Sequence, residues 1–335
     1  MAYNRNNGPK INPIDQDIRS GQFHNIYLLC GSEDYLKRQY CNKLITALID
    51  PEDTMNLTRF DNLNADFHSL KDTAETLPFF ADRRVITVNG SGWFASSQDE
   101  LSDYLEHVPE TTYLIFMENS IKKTVKSFKA VQKYGCIAEL DMPSDEVLKK
   151  WIIGKLKADG KSMTMEAWNE FLARTNSSMD HMNLEYHKLL SYIGDRQEIN
   201  IDDVTALCPM QIEGKIFKMI DAIASKNVNL TFELYKDLLL ERQSATMILW
   251  NIQRQFQRIL DVRRLRESGL DAGRIARDLN LRDFMVTNSL RVGQRFSEAE
   301  LVFLLSDAAE YESMIKSGRI KDQAALEMLM LKYCK

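Results

Sequence analysis

The chain lacks any run long and apolar enough to read as a membrane span; its longest apolar runs, such as Tyr113–Met117, are strand-sized. It also lacks an apolar leader. The segment from Met1 to Pro9 is polar and Asn-rich, so the expectation is a cytoplasmic protein whose residues 1–13 form a flexible tail. Cysteine is sparse: Cys30, Cys41, Cys136, Cys208 and Cys334 show no CxxC and no Cys/His spacing. That speaks against a disulfide scaffold and a zinc module, and points to reduced thiols buried as small apolar groups. The histidines are equally dispersed, and His181 and His187 lie too far apart to share one helical face, so no metal ligands are expected. A large excess of one charge is missing too. The net charge of −5 gives no general attraction to nucleic acid. What remains is 335 residues, 44% of them hydrophobic, enough for a soluble chain of two or three domains.

Residues 26 to 140 alternate between strand-like and helix-like segments. Strands are expected at Ile26–Cys30, Asn56–Phe60, Arg84–Val88, Tyr113–Met117 and Cys136–Leu140, with helices near 34–49, 66–76, 97–107 and 121–134. This alternation implies a parallel, doubly wound α/β sheet. The first unit is a strand, a turn and an amphipathic helix with Leu36, Tyr40, Leu44 and Leu48 along one face, the frame of a P-loop. Its chemistry is absent. The turn Gly31-Ser32-Glu33-Asp34 has one glycine, no Gly-Lys-Ser/Thr, and two carboxylates that oppose a polyanion at this helix N-terminus. The third strand ends Val88-Asn89-Gly90 and the fourth Met117-Glu118-Asn119, so no acid pair stands ready for Mg²⁺. Gly160-Lys161-Ser162 mimics a P-loop, but Lys155 stands where the first glycine belongs and a helix precedes it. Nucleotide hydrolysis has no residues to run on, and no catalytic residue is expected. Gly90-Ser91-Gly92-Trp93 reads as a flexible loop.

Beyond Pro143 everything reads as helix. Asp145–Ala158, Thr164–Thr175 and Met179–Ile193 form a small group, the last with Met182, Tyr186, Leu189, Leu190 and Ile193 on one side. Leu207-Cys208-Pro209 marks a boundary, and about six helices follow from Ile212.

Two stretches carry binding chemistry. A helix with Phe67, Leu70, Ala74 and Leu77 is stopped by Pro78, and Phe79 and Phe80 follow on the connector. Either both rings pack under the sheet, or at least one is exposed as an anchor for a partner's pocket; the residues leave both open. Further on, Asp271–Leu279 and Phe284–Val292 joined at Asn280-Leu281-Arg282 resemble a helix-turn-helix, packed through Ile275, Ala276, Leu279 and Val286. Arg254, Arg258, Arg263, Arg264 and their neighbours are either DNA-phosphate contacts or a solvated or subunit-facing surface, and the second reading is favoured.

Taken together, these residues resemble the delta subunit of the bacterial DNA polymerase III clamp loader, from about residue 14 to 333. The blocks that carry the resemblance are Ile26–Leu36, Leu77–Val85, Ile216–Ile223, Ile252–Phe256, and Met314–Gly318 with Ala325–Leu329. None is a catalytic signature; their order is what is specific. The resemblance implies an AAA+-related fold: a RecA-like α/β domain at 14–141, a small helical lid at 142–208, and a helical collar at 209–335 that joins a five-subunit ring. It implies a subunit without cofactor or enzymatic activity of its own, within a DNA-directed DNA polymerase (nucleotidyltransferase) assembly. Its partners would be the sliding clamp (beta), the gamma/tau and delta-prime subunits through the collar, and primed DNA, with no membrane. The hydrophobic wedge that grips the clamp and opens one ring interface falls on Phe79 and Phe80, with Leu77 close by. Phe79 stands where a leucine is familiar. Met179-Asp180-His181-Met182 stands where the family commonly has an Asp-Leu-Arg type segment. The competing reading is a helix-turn-helix-like DNA-binding protein with a degenerate nucleotide-binding domain.

Overall fold

Asn12 and Pro13 start the first helix, α1 (Pro13–Ser20): the Asn12 side chain accepts the Ile14 N–H, and Gly21, at φ 72°, ends it. The computed structural model describes residues 12–50, 52–61, 66–279 and 281–334, so most of the expected tail lies outside the described residues. Pro13, assigned to that tail, is the first turn of a helix whose Ile14 is fully buried. The chain divides into two units, Met1–Pro143 and Ser144–Lys335.

In the first unit, β1 (Ile26–Cys30), β2 (Leu57–Asp61), β3 (Arg84–Asn89), β4 (Thr112–Glu118) and β5 (Cys136–Glu139) form one parallel sheet in the order β2-β3-β4-β1-β5. Register pairs Ile26 with Leu114 and Tyr27 with Cys136. Strand β1 is buried throughout, as a central parallel strand must be. Ile26, Leu28 and Cys30 face one layer and Tyr27 and Leu29 the other, the period-2 alternation of a strand. Against the first face pack α3 (Phe67–Glu75), α4 (Asp99–Tyr104) and α5 (Lys126–Tyr134); against the second, α1 and α2 (Asp34–Leu48). The sheet is thus doubly wound. Its topological switch point falls at the carboxyl ends of β1 and β4, where such sheets bind ligands.

Two expectations fail here. Leu77 lies beyond the end of α3 and is exposed, so it is not part of that helix's packing face. The loop after β3 is not loose: Ser91, Trp93 and Phe94 are buried, and Phe94 packs edge-on against Phe116 at 5.2 Å.

The second unit opens with α6 (Asp145–Ala158), α7 (Met165–Arg174) and α8 (Met179–Ile193), followed by α9 (Ile201–Leu207). It is not purely helical. β6 (Ser162–Met163) and β7 (Glu198–Ile199) pair in parallel, strands too short to show a period in sequence. Helix α9 was also unforeseen, although its start is written in a capping box: Asn200 accepts the Asp203 N–H and Asp203 accepts the Asn200 N–H. Seven helices complete the described residues: α10 (Ile212–Ala224), α11 (Val228–Leu240), α12 (Ala245–Glu267), α13 (Ala272–Asp278), α14 (Asp283–Gly293), α15 (Glu298–Lys316) and α16 (Asp322–Tyr333). The long α12 runs through their core, with Ile248, Ile252, Phe256 and Ile259 buried against α10, α11, α15 and α16. Among the described residues no helix is long and apolar enough to cross a membrane.

Candidate functional site

The connector between α3 and β3 presents apolar surface outward. Phe80 is 96% exposed, Leu77 77% and Phe79 53%, and neither ring lies under the sheet. The two rings meet edge to face with centroids 4.6 Å apart. Exposure alone would describe a loose loop. This one is held by buried polar groups. Asn56, almost wholly buried, accepts the Phe79 N–H at 2.7 Å and donates to the Phe79 carbonyl at 3.0 Å, as a neighbouring strand would. The Asn56 amide also donates to Asp53 at 2.7 Å, and this bond is the main reason the Asp53 carboxyl titrates below the usual carboxylate range. Arg84, buried at the head of β3, donates to the Leu77 carbonyl at 3.1 Å. Directly after the clamped Phe79, Phe80 adopts φ 49°, a left-handed conformation that costs a bulky residue about 1–3 kcal/mol. Such strain persists only where the surroundings over-determine the backbone, as Asn56 and Arg84 do here.

The turn at the switch point is the opposite case. Three of its amides, which a phosphate-binding turn leaves pointing at the ligand, are already used. The Ser32 N–H donates to Asp141 at 3.3 Å, the Glu33 N–H to the Leu140 carbonyl at 3.1 Å, and the Tyr35 N–H to the Glu33 side chain at 3.2 Å. Gly31, at φ 127°, is pressed so close to Leu140 that an added Cβ would stand 2.4 Å from its carbonyl oxygen. Buried Lys37, one turn into α2, sends its ammonium back over the turn: it donates to the Gly31 carbonyl at 2.9 Å, to the side chain of Asn119, and pairs with Asp34 at 2.8 Å. The two carboxylates do not project freely, because Glu33 caps the helix and Asp34 is neutralised by Lys37. Glu118, the lone acid at the end of β4, turns to the next loop, accepting the Ser91 N–H at 3.0 Å, the Ser91 hydroxyl and the Gly92 N–H at 3.2 Å. Burial pushes its carboxyl above the usual range.

The other candidates scatter. Lys161 of the false P-loop donates to the Gly194 and Arg196 carbonyls at 2.6 and 2.8 Å, closing the end of α8. Arg263 is tied to Glu267 at 2.8 Å and to the Phe296 carbonyl, and Arg264 to Glu298 at 2.8 Å. Arg254, exposed, lies over the Trp250 ring at 5.4 Å; Arg258 donates to Gln255 at 2.9 Å. Helices α13 and α14 form about as expected and pack through Ile275, Ala276 and Val286, with Leu279 partly buried against them; Asn280 lies outside the described residues. One side of α14 is turned toward its neighbours, while Asp283, Thr287 and Arg291 on the helix are exposed. Phe284, Asn288 and Arg291 line a cavity of about 250 Å³ with α10 and α12, and Arg282, at its head, donates to the Ser177 carbonyl. Asn56, Lys37 and Arg84 escaped the sequence reading. A lysine three residues after Asp34, the spacing of a helical ion pair, was the nearest available signal.

The family model for the DNA polymerase III delta subunit matches residues 27–141, and that for its C-terminal domain matches residues 213–333, in the same order. The chain belongs to the DNA polymerase III delta subunit family. The first match spans both the aromatic connector and the filled turn. Among delta subunits, the chain is 25% identical to DNA polymerase III subunit delta of Bacillus subtilis (strain 168) over 332 residues, covering 96% of each. It is 19% identical to a probable DNA polymerase III subunit delta of Aquifex aeolicus (strain VF5), covering 77% of this chain and 76% of that one. Its fold is that of the Bacillus subtilis DNA clamp loader delta protein (YqeN): TM-score 0.71 at 24% identity, over 96% of this chain and 98% of that structure.

Proposed function

We propose that this chain, as a clamp-loader delta subunit, grips the sliding clamp through Phe79 and Phe80, with Leu77 beside them, and holds one ring interface open for loading onto primed DNA. The observation that carries the proposal is the pair of exposed rings on a backbone fixed by Asn56 and Arg84. A pre-ordered apolar anchor spends little entropy on docking, and burying such a hot-spot aromatic contributes about 2–4 kcal/mol. Opening requires only that the chain bind the open ring better than the closed one. It does so without ATP of its own, since the turn amides are committed to Leu140 and Asp141 and Lys37 occupies the space above them. In this reading residues 14–141 carry the clamp contact, 142–208 form a lid, and 209–335 form a collar that meets the gamma/tau and delta-prime subunits. Of the four arginines, Arg254 and Arg264 are the exposed ones and the candidates for a subunit or DNA contact.

The test is binding of the purified chain to its own sliding clamp without nucleotide, beside the Phe79→Ala/Phe80→Ala double variant. Tight binding by the wild type, weakened more than tenfold in a variant of unchanged circular dichroism, is the expected result. Equal binding by both would remove the wedge from these residues, and no wild-type binding would move the function to collar assembly.

A further inference from the structure

Three side chains from separate parts of the first unit converge on the side of the sheet opposite the filled turn: Asp17 on α1, His24 on the segment before β1, and Cys136 at the head of β5. Their donor atoms (a carboxylate oxygen, a ring nitrogen and a sulfur) all lie within 4.8 Å of one another. The Asp17 carboxylate is 3.1 Å from His24 Nδ1 and accepts the Tyr27 hydroxyl at 2.8 Å, while that hydroxyl accepts the His24 backbone N–H at 3.0 Å. We propose that Asp17, His24 and Cys136 bind a divalent cation of the zinc class.

The donor set selects the ion. One thiolate and one imidazole suit Zn²⁺ or Co²⁺, whereas Mg²⁺ and Ca²⁺ take oxygen ligands. Tetrahedral bonds of about 2.0–2.3 Å place ligand atoms about 3.3–3.8 Å apart, a separation these side chains reach by small rotations. Three protein ligands leave the fourth position to water. The half-exposed His24 supplies the entry path, and Cys136 closes the buried side. Tyr27, fully buried, orients the Asp17 carboxylate from behind, as a supporting group around a metal site does. Without a cation the Cys136 thiol stays protonated, pushed up to about 12 by burial and then by the Asp17 charge. Binding therefore forms the metal–sulfur bond and releases the thiol proton to solvent, with no change of oxidation state. The ion would join α1 to the edge strand of the sheet. The Asp17 bonds to Tyr27 and His24 explain those three side chains by themselves; a role for the sulfur distinguishes the metal site from a simple hydrogen-bond network.

The test uses the full chain, reduced and stripped of metal, titrated with Co²⁺. Expected are near-ultraviolet sulfur-to-cobalt absorption and tetrahedral visible bands that saturate at one equivalent and disappear when Zn²⁺ is added. Cys136→Ser should abolish the sulfur band. His24→Gln, at an exposed position that leaves folding intact, should weaken binding at least tenfold, and Tyr27→Phe about tenfold. An unsaturable spectrum in the wild type would overturn the proposal. So would a sulfur band that survives Cys136→Ser, since the metal would then sit on another thiol, and so would His24→Gln binding as tightly as wild type.

Discussion

The two edges of the parallel sheet have opposite characters. At the carboxyl edge, the turn after β1 has the architecture of a ligand site and is filled from within by Lys37, Leu140 and Asp141. At the amino edge, the connector before β3 keeps large apolar surface in water on a strained, tightly bonded backbone. In doubly wound folds the carboxyl edge is where ligands are expected. Here the exposed apolar surface lies at the other edge, which in the proposed reading is covered by the sliding clamp. A site is located by what a fold leaves unfinished, which need not be where its topology usually works.

The comparison breaks most readily at the filled turn. Lys37→Met would leave the Gly31 carbonyl and the Asn119 side chain without their cation, lowering stability by about 3 kcal/mol in urea unfolding. ATP should still fail to bind that variant, because the Ser32 and Glu33 amides keep their partners; appreciable binding of a fluorescent ATP analogue would show that Lys37 alone closed the site. At the other edge, Asn56→Ala removes both bonds to Phe79 and should cost about 2 kcal/mol. It should also weaken clamp binding with both rings still present; unchanged affinity would mean that the rings act without a fixed backbone. The smallest effect isolates the strain itself. Phe80→Gly should raise thermal stability by about 0.5–1 kcal/mol while losing clamp affinity, whereas Phe80→Ala loses affinity with no gain. A Phe80→Gly variant less stable than Phe80→Ala would mean that the left-handed backbone carries no cost.

Periodicity and punctuation located most of the frame. The strand at Ile26–Cys30 and the helices at Asp145–Ala158 and Met179–Ile193 stand where apolar spacing puts them, because burial on one or both faces leaves a repeat that local sequence records. The two-residue strands left no repeat, and α9 showed only its cap. The looseness expected of Gly90–Trp93 was an error of the same kind: glycines signalled freedom, while the bonds that remove it come from Glu118, 26 or 27 residues along the chain.

The sequence by itself determined that a parallel α/β unit precedes a mostly helical one, that the turn at Gly31 lacks phosphate-binding chemistry, and that an aromatic pair follows Pro78. These are local properties, set by side-chain period, glycine count and chain breakers. Only the tertiary structure decided that Phe79 and Phe80 face water, that Asn56 holds them, that Lys37 seals the turn, and that Asp17, His24 and Cys136 meet. The Lys37–Asp34 and Asp17–His24 pairs are near neighbours in the chain, but Asn119 on Lys37, Asn56 on Phe79 and Cys136 beside Asp17 arrive from far along it through the packing of helices on a sheet, and no local pattern encodes that approach.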